Sequence, residues 1–307
     1  MRSRYRAHLA LFAVNAIYGI NYVVAKGLMP EVIGPSGFIL LRVLGASALF
    51  WLLRAFRPER VEWSDAGRLL LCAVFGVALN QLMFFHGLMR TAPINASIIM
   101  VATPILVLLL SAWLIGERVT WLKILGVGLG GAGALILIFL KPFSASGGAT
   151  VMGDAFILIN AISYGLYLVL VKPLMRKYTA VTVMSWCFLI GLVIILPFGL
   201  SEFVDVAWSS LSAPVILAMS FVVVMVTFVA YLLNTWALGV VSPTLVGTYV
   251  YLQPVLAVVI TWLFMRIGPE RLGLPGMYET AIGWHQALCA AMIFLGVHLV
   301  NRSDRER

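Results

Sequence analysis

The residue with the most to say about chemistry is Arg42. It lies inside an apolar run, Phe38-Ile39-Leu40-Leu41-Arg42-Val43-Leu44. If that run is a membrane helix, Arg42 sits roughly 10 Å deep at 1.5 Å per residue. Such an arginine costs ~2.5 kcal/mol or more unless it is paired or hydrated. One reading is a guanidinium that attracts a ligand carboxylate. The other is an arginine satisfied by helix-end carbonyls, by Glu31 or by snorkelling outward. The carboxylates speak by their absence. All twelve Asp and Glu residues fall at or beyond the ends of apolar runs. A carrier of organic cations needs a buried counter-charge, so a neutral, zwitterionic or anionic ligand fits better.

Uncharged polar and aromatic residues inside the apolar runs form a candidate lining: Tyr18, Asn21, Tyr22, Asn80, Gln81, Ser97, Asn160, Tyr164, Tyr167, Tyr231, Tyr249, Tyr251 and Gln253. Asn, Gln and Tyr hydrogen-bond an ammonium or a carboxylate without adding charge. The competing reading for each is an interhelical hydrogen bond worth ~0.6–2 kcal/mol. Pro104 and Pro254 stand at matched places in two runs. Each removes a backbone hydrogen bond and disturbs the carbonyl four residues earlier, at Met100 and Val250. Matched helix interruptions are gating candidates, with a packing kink as the alternative. His86 and His285 titrate near neutrality, which makes them candidates for proton coupling or neutral interhelical donors.

Other signals exclude chemistry. Cys72, Cys187 and Cys289 are far apart with no CxxC, so neither a disulfide nor a metal site is expected. Gly126, Gly128, Gly130, Gly131 and Gly133 lie in an apolar run with no following GKS or GKT. They read as a helix-packing face, with a partner inside the chain, and not as a nucleotide loop. Lys26, Lys141 and Lys172 are near run ends, which excludes a retinal Schiff base. There is no HExxH or paired buried Asp for an intramembrane enzyme.

These residues need ten helices to position them. Of 307 residues, 62% are hydrophobic and 11% charged, against ~25% charged in soluble domains. A soluble enzyme, a disordered chain and a nucleic-acid binder are all excluded. Ten apolar runs are found, near 8–26, 36–54, 66–88, 93–114, 121–140, 153–171, 180–200, 212–237, 243–264 and 280–300. A span needs ~20 apolar residues and must be helical in lipid. The first run reads as an uncleaved span, not a signal peptide. With ten spans, fifteen Lys and Arg residues fall on the N-terminal side and five on the other. That bias predicts cytoplasmic termini.

The chain also reads as a duplication. Asn15-Ala16-Ile17-Tyr18-Gly19 is echoed by Asn160-Ala161-Ile162-Ser163-Tyr164-Gly165, and a lysine follows each tyrosine by eight. Pro93 and Pro104 are echoed by Pro243 and Pro254, and Gly116-Glu117-Arg118-Val119 by Pro269-Glu270-Arg271-Leu272. Five spans per half invert the second copy, so the expected units are 1–142 and 151–307 with a linker at 143–150. Inverted repeats are the mechanics of a carrier.

Phe84-Phe85-His86-Gly87-Leu88 through Ala96-Ser97, then Thr103-Pro104, Gly116-Glu117-Arg118 and the Gly-rich fifth span resemble the EamA-type repeat of the drug/metabolite transporter superfamily. The resemblance covers essentially the whole chain as two copies. The second departs at its end, where Arg266 to Thr280 is longer and Glu270 displaced. It implies an all-α integral membrane protein of ten helices in two inverted five-helix repeats. It also implies a central cavity and export or uptake of small metabolites, often amino acids. The expectation is an inner-membrane carrier, with no cofactor, acting on an amino acid or related carboxylate, and more for export than uptake. The alternatives are a sugar-, nucleoside- or lipid-linked substrate, or a receptor or assembly subunit. The expected partners are the bilayer and a small polar solute, with no nucleic acid, in a monomer or weak homodimer.

Overall fold

In a computed structural model the described residues are 2–91, 96, 99–139, 150–253, 255–256, 259, 263 and 284–305. For residues 2, 22–23, 25–27, 137–139, 285–286 and 305 only the backbone is described. Ser97 and Pro254, and the side chains of Tyr22 and His285, therefore lie outside the described residues. The described chain forms α1 (Arg2–Leu28), α2 (Pro35–Phe56), α3 (Trp63–Leu88), α4 (Thr103–Ile115), α5 (Trp121–Phe139), α6 (Val151–Leu174), α7 (Ala180–Val204), α8 (Ala213–Val240), α9 (Pro243–Thr248) and α10 (Trp284–Arg305). Five of these, α2, α3, α6, α7 and α8, are long and apolar enough to cross a bilayer by length and composition.

Local sequence sets several ends. Thr150, Thr179 and Ser242 each accept a hydrogen bond from the amide three residues on, capping α6, α7 and α9. Gly116 ends α4 in the left-handed region (φ +65°), with its amide on the Ser111 carbonyl. In the fourth span the chain is interrupted and not merely kinked. A turn at Val101–Ala102 separates the helical residues Ile99 and Met100 from α4, and Pro104 is accommodated in the first turn of α4. In the ninth span α9 tightens into a 3-10 turn at Tyr249–Tyr251.

The helices pair in a regular way. α5 packs along α10, and α2 along α7. α1 packs on α8 and α6 on α3; α2 touches α8 and α7 touches α3; α4 lies on α6 and the end of α9 on α1. Each main pairing recurs with every helix number shifted by five. At the α5–α10 seam a Cβ on Gly126 would stand 2.7 Å from the Gly296 carbonyl oxygen. The glycines there allow a near-backbone approach within the chain.

Both α3 and α8 contain a π-helical stretch, at Val74–Ala78 and Val222–Val229. A π turn leaves carbonyls without their usual helical donor. Side chains supply it. Ser163 donates to the Phe75 carbonyl (2.7 Å), Thr227 to Val222 (2.8 Å) and Tyr231 to Gly76 (3.4 Å).

Charges close the N-terminal side. Arg4 at the start of α1 pairs with Asp304 near the end of α10 (3.1 Å), and Asp304 also accepts the Ser242 amide (3.2 Å). Lys123 on α5, fully buried, pairs with Glu117 and lies 3.8 Å from Asp304. Nearby on this face, the hydrogen bond to Asp65 holds the Lys177 ammonium above its ordinary range. Removing one member of a buried pair strands the other charge. Glu117→Gln is expected to destabilise the protein by about 3 kcal/mol in detergent melts. Adding Lys123→Met should recover most of that loss.

Candidate functional site

A cavity of about 120 Å³ lies in the middle of the bundle. Its wall joins Tyr18 and Asn21 from α1, Arg42 from α2, and Asn80, Gln81, Phe84 and Phe85 from α3. Met100 precedes α4, Asn160 and Tyr164 come from α6, Tyr231 from α8, and Val250 and Gln253 follow α9. Met100 and Val250 are the two residues four before the matched prolines, so the break before α4 and the 3-10 turn after α9 both reach the cavity. No carboxylate lines it among the described residues.

Arg42 is the only charged member of this wall and is 4% exposed. Its Nε donates to Thr227 Oγ1 at 3.0 Å. That hydroxyl passes its own proton to the Val222 carbonyl, so the π stretch of α8 fixes one edge of the guanidinium. The Phe85 and Phe38 rings lie under it, with centroids 5.0 and 5.6 Å from Cζ. No carboxylate pairs with it among the described residues. Glu31 and snorkelling therefore do not account for it: Arg42 is held inward by aromatic and hydroxyl groups, with no anion opposite.

The amides around the cavity are unevenly satisfied. Asn160 Nδ2 donates to the Asn80 carbonyl (2.8 Å), while its Oδ1 has no partner. Both polar atoms of Gln81 and Oδ1 of Asn21 are likewise buried without a partner. Tyr164 accepts from Asn234 (3.2 Å). Gln253 donates to Asn15 (3.2 Å).

Other sequence candidates are placed elsewhere. Tyr167 is buried beside Thr235 (Oη to Oγ1, 2.6 Å), and its ring fills the space left by Gly76. Tyr249 bonds His8 (2.7 Å), and Tyr251 packs on Gly130 and Gly131 of α5. His86 bonds Ser36 (2.9 Å) and neighbours Arg90 (3.2 Å), away from the cavity wall. Phe84 and Phe85 line the site without having been singled out as lining, since an apolar residue in an apolar span carries no signal. Among the described residues no group of His, Cys, Asp and Glu is arranged to hold a metal ion, and all three cysteines are buried and free.

The sequence profile of one family, described as the EamA-like transporter family, matches residues 5–139 and again 151–302. The chain belongs to the EamA-like transporter family. It is thus a multi-pass membrane transporter with the ten-helix fold of that family. It is 25% identical over 295 residues to an uncharacterized transporter of Archaeoglobus fulgidus, covering 92% of this chain and 99% of that one. It is 27% identical over 276 residues to a probable terminal-alkyne amino-acid exporter of Streptantibioticus cattleyicolor, covering 88% and 84%. A solved crystal structure superposes with a TM-score of 0.73 over 98% of both chains at 20% identity, a likeness of fold alone. In this EamA-like chain the cavity wall carries no carboxylate among the described residues.

Proposed function

We propose that this EamA-like protein is a bacterial-type inner-membrane carrier with both termini cytoplasmic. It exports a small amino acid or related carboxylate by alternating access. The observation that carries this reading is Arg42: a buried cation on a cavity wall, without a counter-ion among the described residues. A ligand carboxylate supplies the missing charge and accepts the remaining guanidinium protons. The polar side chains around it hold the rest of the solute, and Phe84, Met100 and Val250 offer an apolar surface for a small side chain. The cavity is small beside the ~300–1,000 Å³ of drug-sized pockets, which supports a small metabolite over a nucleoside- or lipid-linked substrate. The amino-acid exporter of Streptantibioticus is a relative consistent with this class.

The five-helix shift in the packing pattern supports two inverted halves, 1–142 and 151–307, joined by a linker at 143–150. Alternating access then exchanges the arrangements of the two halves. Pro104, just after the break at Val101–Ala102, and its sequence match Pro254, outside the described residues, serve as its hinges. His86 and His285 remain the candidates for coupling to protons.

Flux into proteoliposomes from a panel of the twenty standard L-amino acids, with and without a pH gradient, tests the proposal. Saturable flux of at least one of them is expected. No flux of any amino acid would overturn it and favour a receptor or assembly role. Thr227→Val keeps shape but removes the acceptor that aims Arg42. It is expected to raise KM about fivefold while kcat changes little, from the loss of about 1 kcal/mol.

A further inference from the structure

We infer that Asn21, Gln81 and Asn160 form a neutral ammonium clamp that decides which carboxylates the carrier accepts. This deepens the proposed function and rests on its assignment of Arg42 to the carboxylate. The argument starts from satisfaction of hydrogen bonds. Buried amide groups in a settled protein have partners. Here three side-chain carbonyl oxygens on one cavity, Asn21 Oδ1, Gln81 Oε1 and Asn160 Oδ1, have none. Gln81 is 2% exposed and makes no hydrogen bond with either polar atom among the described residues.

The orientation of Asn160 is not arbitrary. Its Nδ2 must face the Asn80 carbonyl, because two oxygens cannot bond each other, and this turns Oδ1 away from that partner. The sequence-matched Asn15 differs: its Nδ2 donates to the Leu11 carbonyl (2.7 Å) and its Oδ1 accepts from Gln253. One of two equivalent asparagines is thus saturated and the other kept open. The residues that carry the unpartnered oxygens line the cavity from α1, α3 and α6, and the cation lines it from α2. Three acceptors match the three protons of a primary ammonium. Being uncharged, they bind it without pairing with Arg42 and closing the site. A deaminated acid would leave all three oxygens without the protons of an ammonium, and an N-acyl group would supply one proton and added bulk.

Such a site rejects an analogue lacking the expected donor far more strongly than an apolar pocket rejects a missing methylene. The clamp therefore predicts a preference of at least about 100-fold for the free amino acid over its deaminated acid. The N-acetyl derivative should be excluded similarly.

The test uses the full-length protein in proteoliposomes. The radiolabelled standard amino acid with the largest flux is competed by its own deaminated acid and by its N-acetyl derivative. Gln81→Met and, separately, Asn21→Leu are assayed alongside. Because Gln81 bonds nothing among the described residues, Gln81→Met is expected to leave the melting temperature unchanged or higher. It should weaken the amino acid about tenfold or more while leaving the deaminated acid unchanged. Equal competition by the deaminated acid in the wild-type protein would overturn the clamp and spare Arg42. So would unaltered selectivity in both variants. Full flux in Arg42→Gln would instead remove the reading beneath it.

Discussion

Arg42→Gln should lower kcat/KM for a transported amino acid by at least about 100-fold, about 3 kcal/mol of lost charge-assisted bonding. The same change should leave the melting temperature in detergent unchanged or raise it. The two expectations come from one fact. No carboxylate among the described residues compensates the guanidinium, so the fold gains little from its charge. A structural arginine behaves oppositely: its loss unfolds the protein and takes flux down in parallel. Arg42→Lys keeps the charge but not the planar fork. It should fall between the two, with weaker affinity and measurable transport.

The second large effect is expected at Gly247. On the N-terminal side of the cavity α4 and α9 pack directly on each other. A Cβ at Gly247 would stand 3.2 Å from Cβ and Cγ2 of Val107 and 3.4 Å from Cγ1. These residues lie between the cavity-lining Met100 and Val250 and the charge network at Glu117, Ser242 and Asp304. In the described arrangement this α4–α9 seam is closed. Gly247→Leu puts a full side chain into the seam and wedges it open, which blocks one half of the transport cycle. Flux should drop at least tenfold. A cysteine at the cavity (Met100→Cys, native cysteines replaced) should react about tenfold faster with an impermeant thiol reagent applied from that side. Unchanged flux together with unchanged labelling would show that this seam is not the gate.

How much of this was legible in the sequence differs by level. The spans were, because lipid forces an apolar run into a helix and composition counts the runs. Arg42 was legible because a charge inside such a run has no cheap explanation. Its inward orientation was not: that depends on Thr227, 185 positions away, and on the rings of Phe38 and Phe85. Tyr164 and Tyr167 show the limit of reading polar residues along a span. They sit about one turn apart, yet one reaches the cavity and the other is locked behind Gly76 and Thr235. Their partners distinguish them: Tyr164 meets Asn234, and Tyr167 meets Thr235 and the π stretch of α3 at Gly76, which a run such as Val74-Phe75-Gly76-Val77-Ala78 does not announce. Pro104 was read as disturbing a continuous helix, whereas the chain breaks at Val101–Ala102 and restarts with the proline in its first turn, where a missing amide costs nothing. The open acceptors were the least accessible. Asn15 and Asn160 look alike in sequence, yet Asn15 donates within its own helix and accepts from Gln253, while Asn160 donates to Asn80 and its Oδ1 has no partner.

The most direct measurement of the central claim needs no mutation. Binding of the transported amino acid and of its C-terminal amide can be compared by calorimetry on the purified protein. The two differ in whether an anion can meet Arg42. The account predicts that neutralising the carboxylate weakens binding by at least about 100-fold. Equal affinity for the acid and the amide would contradict it.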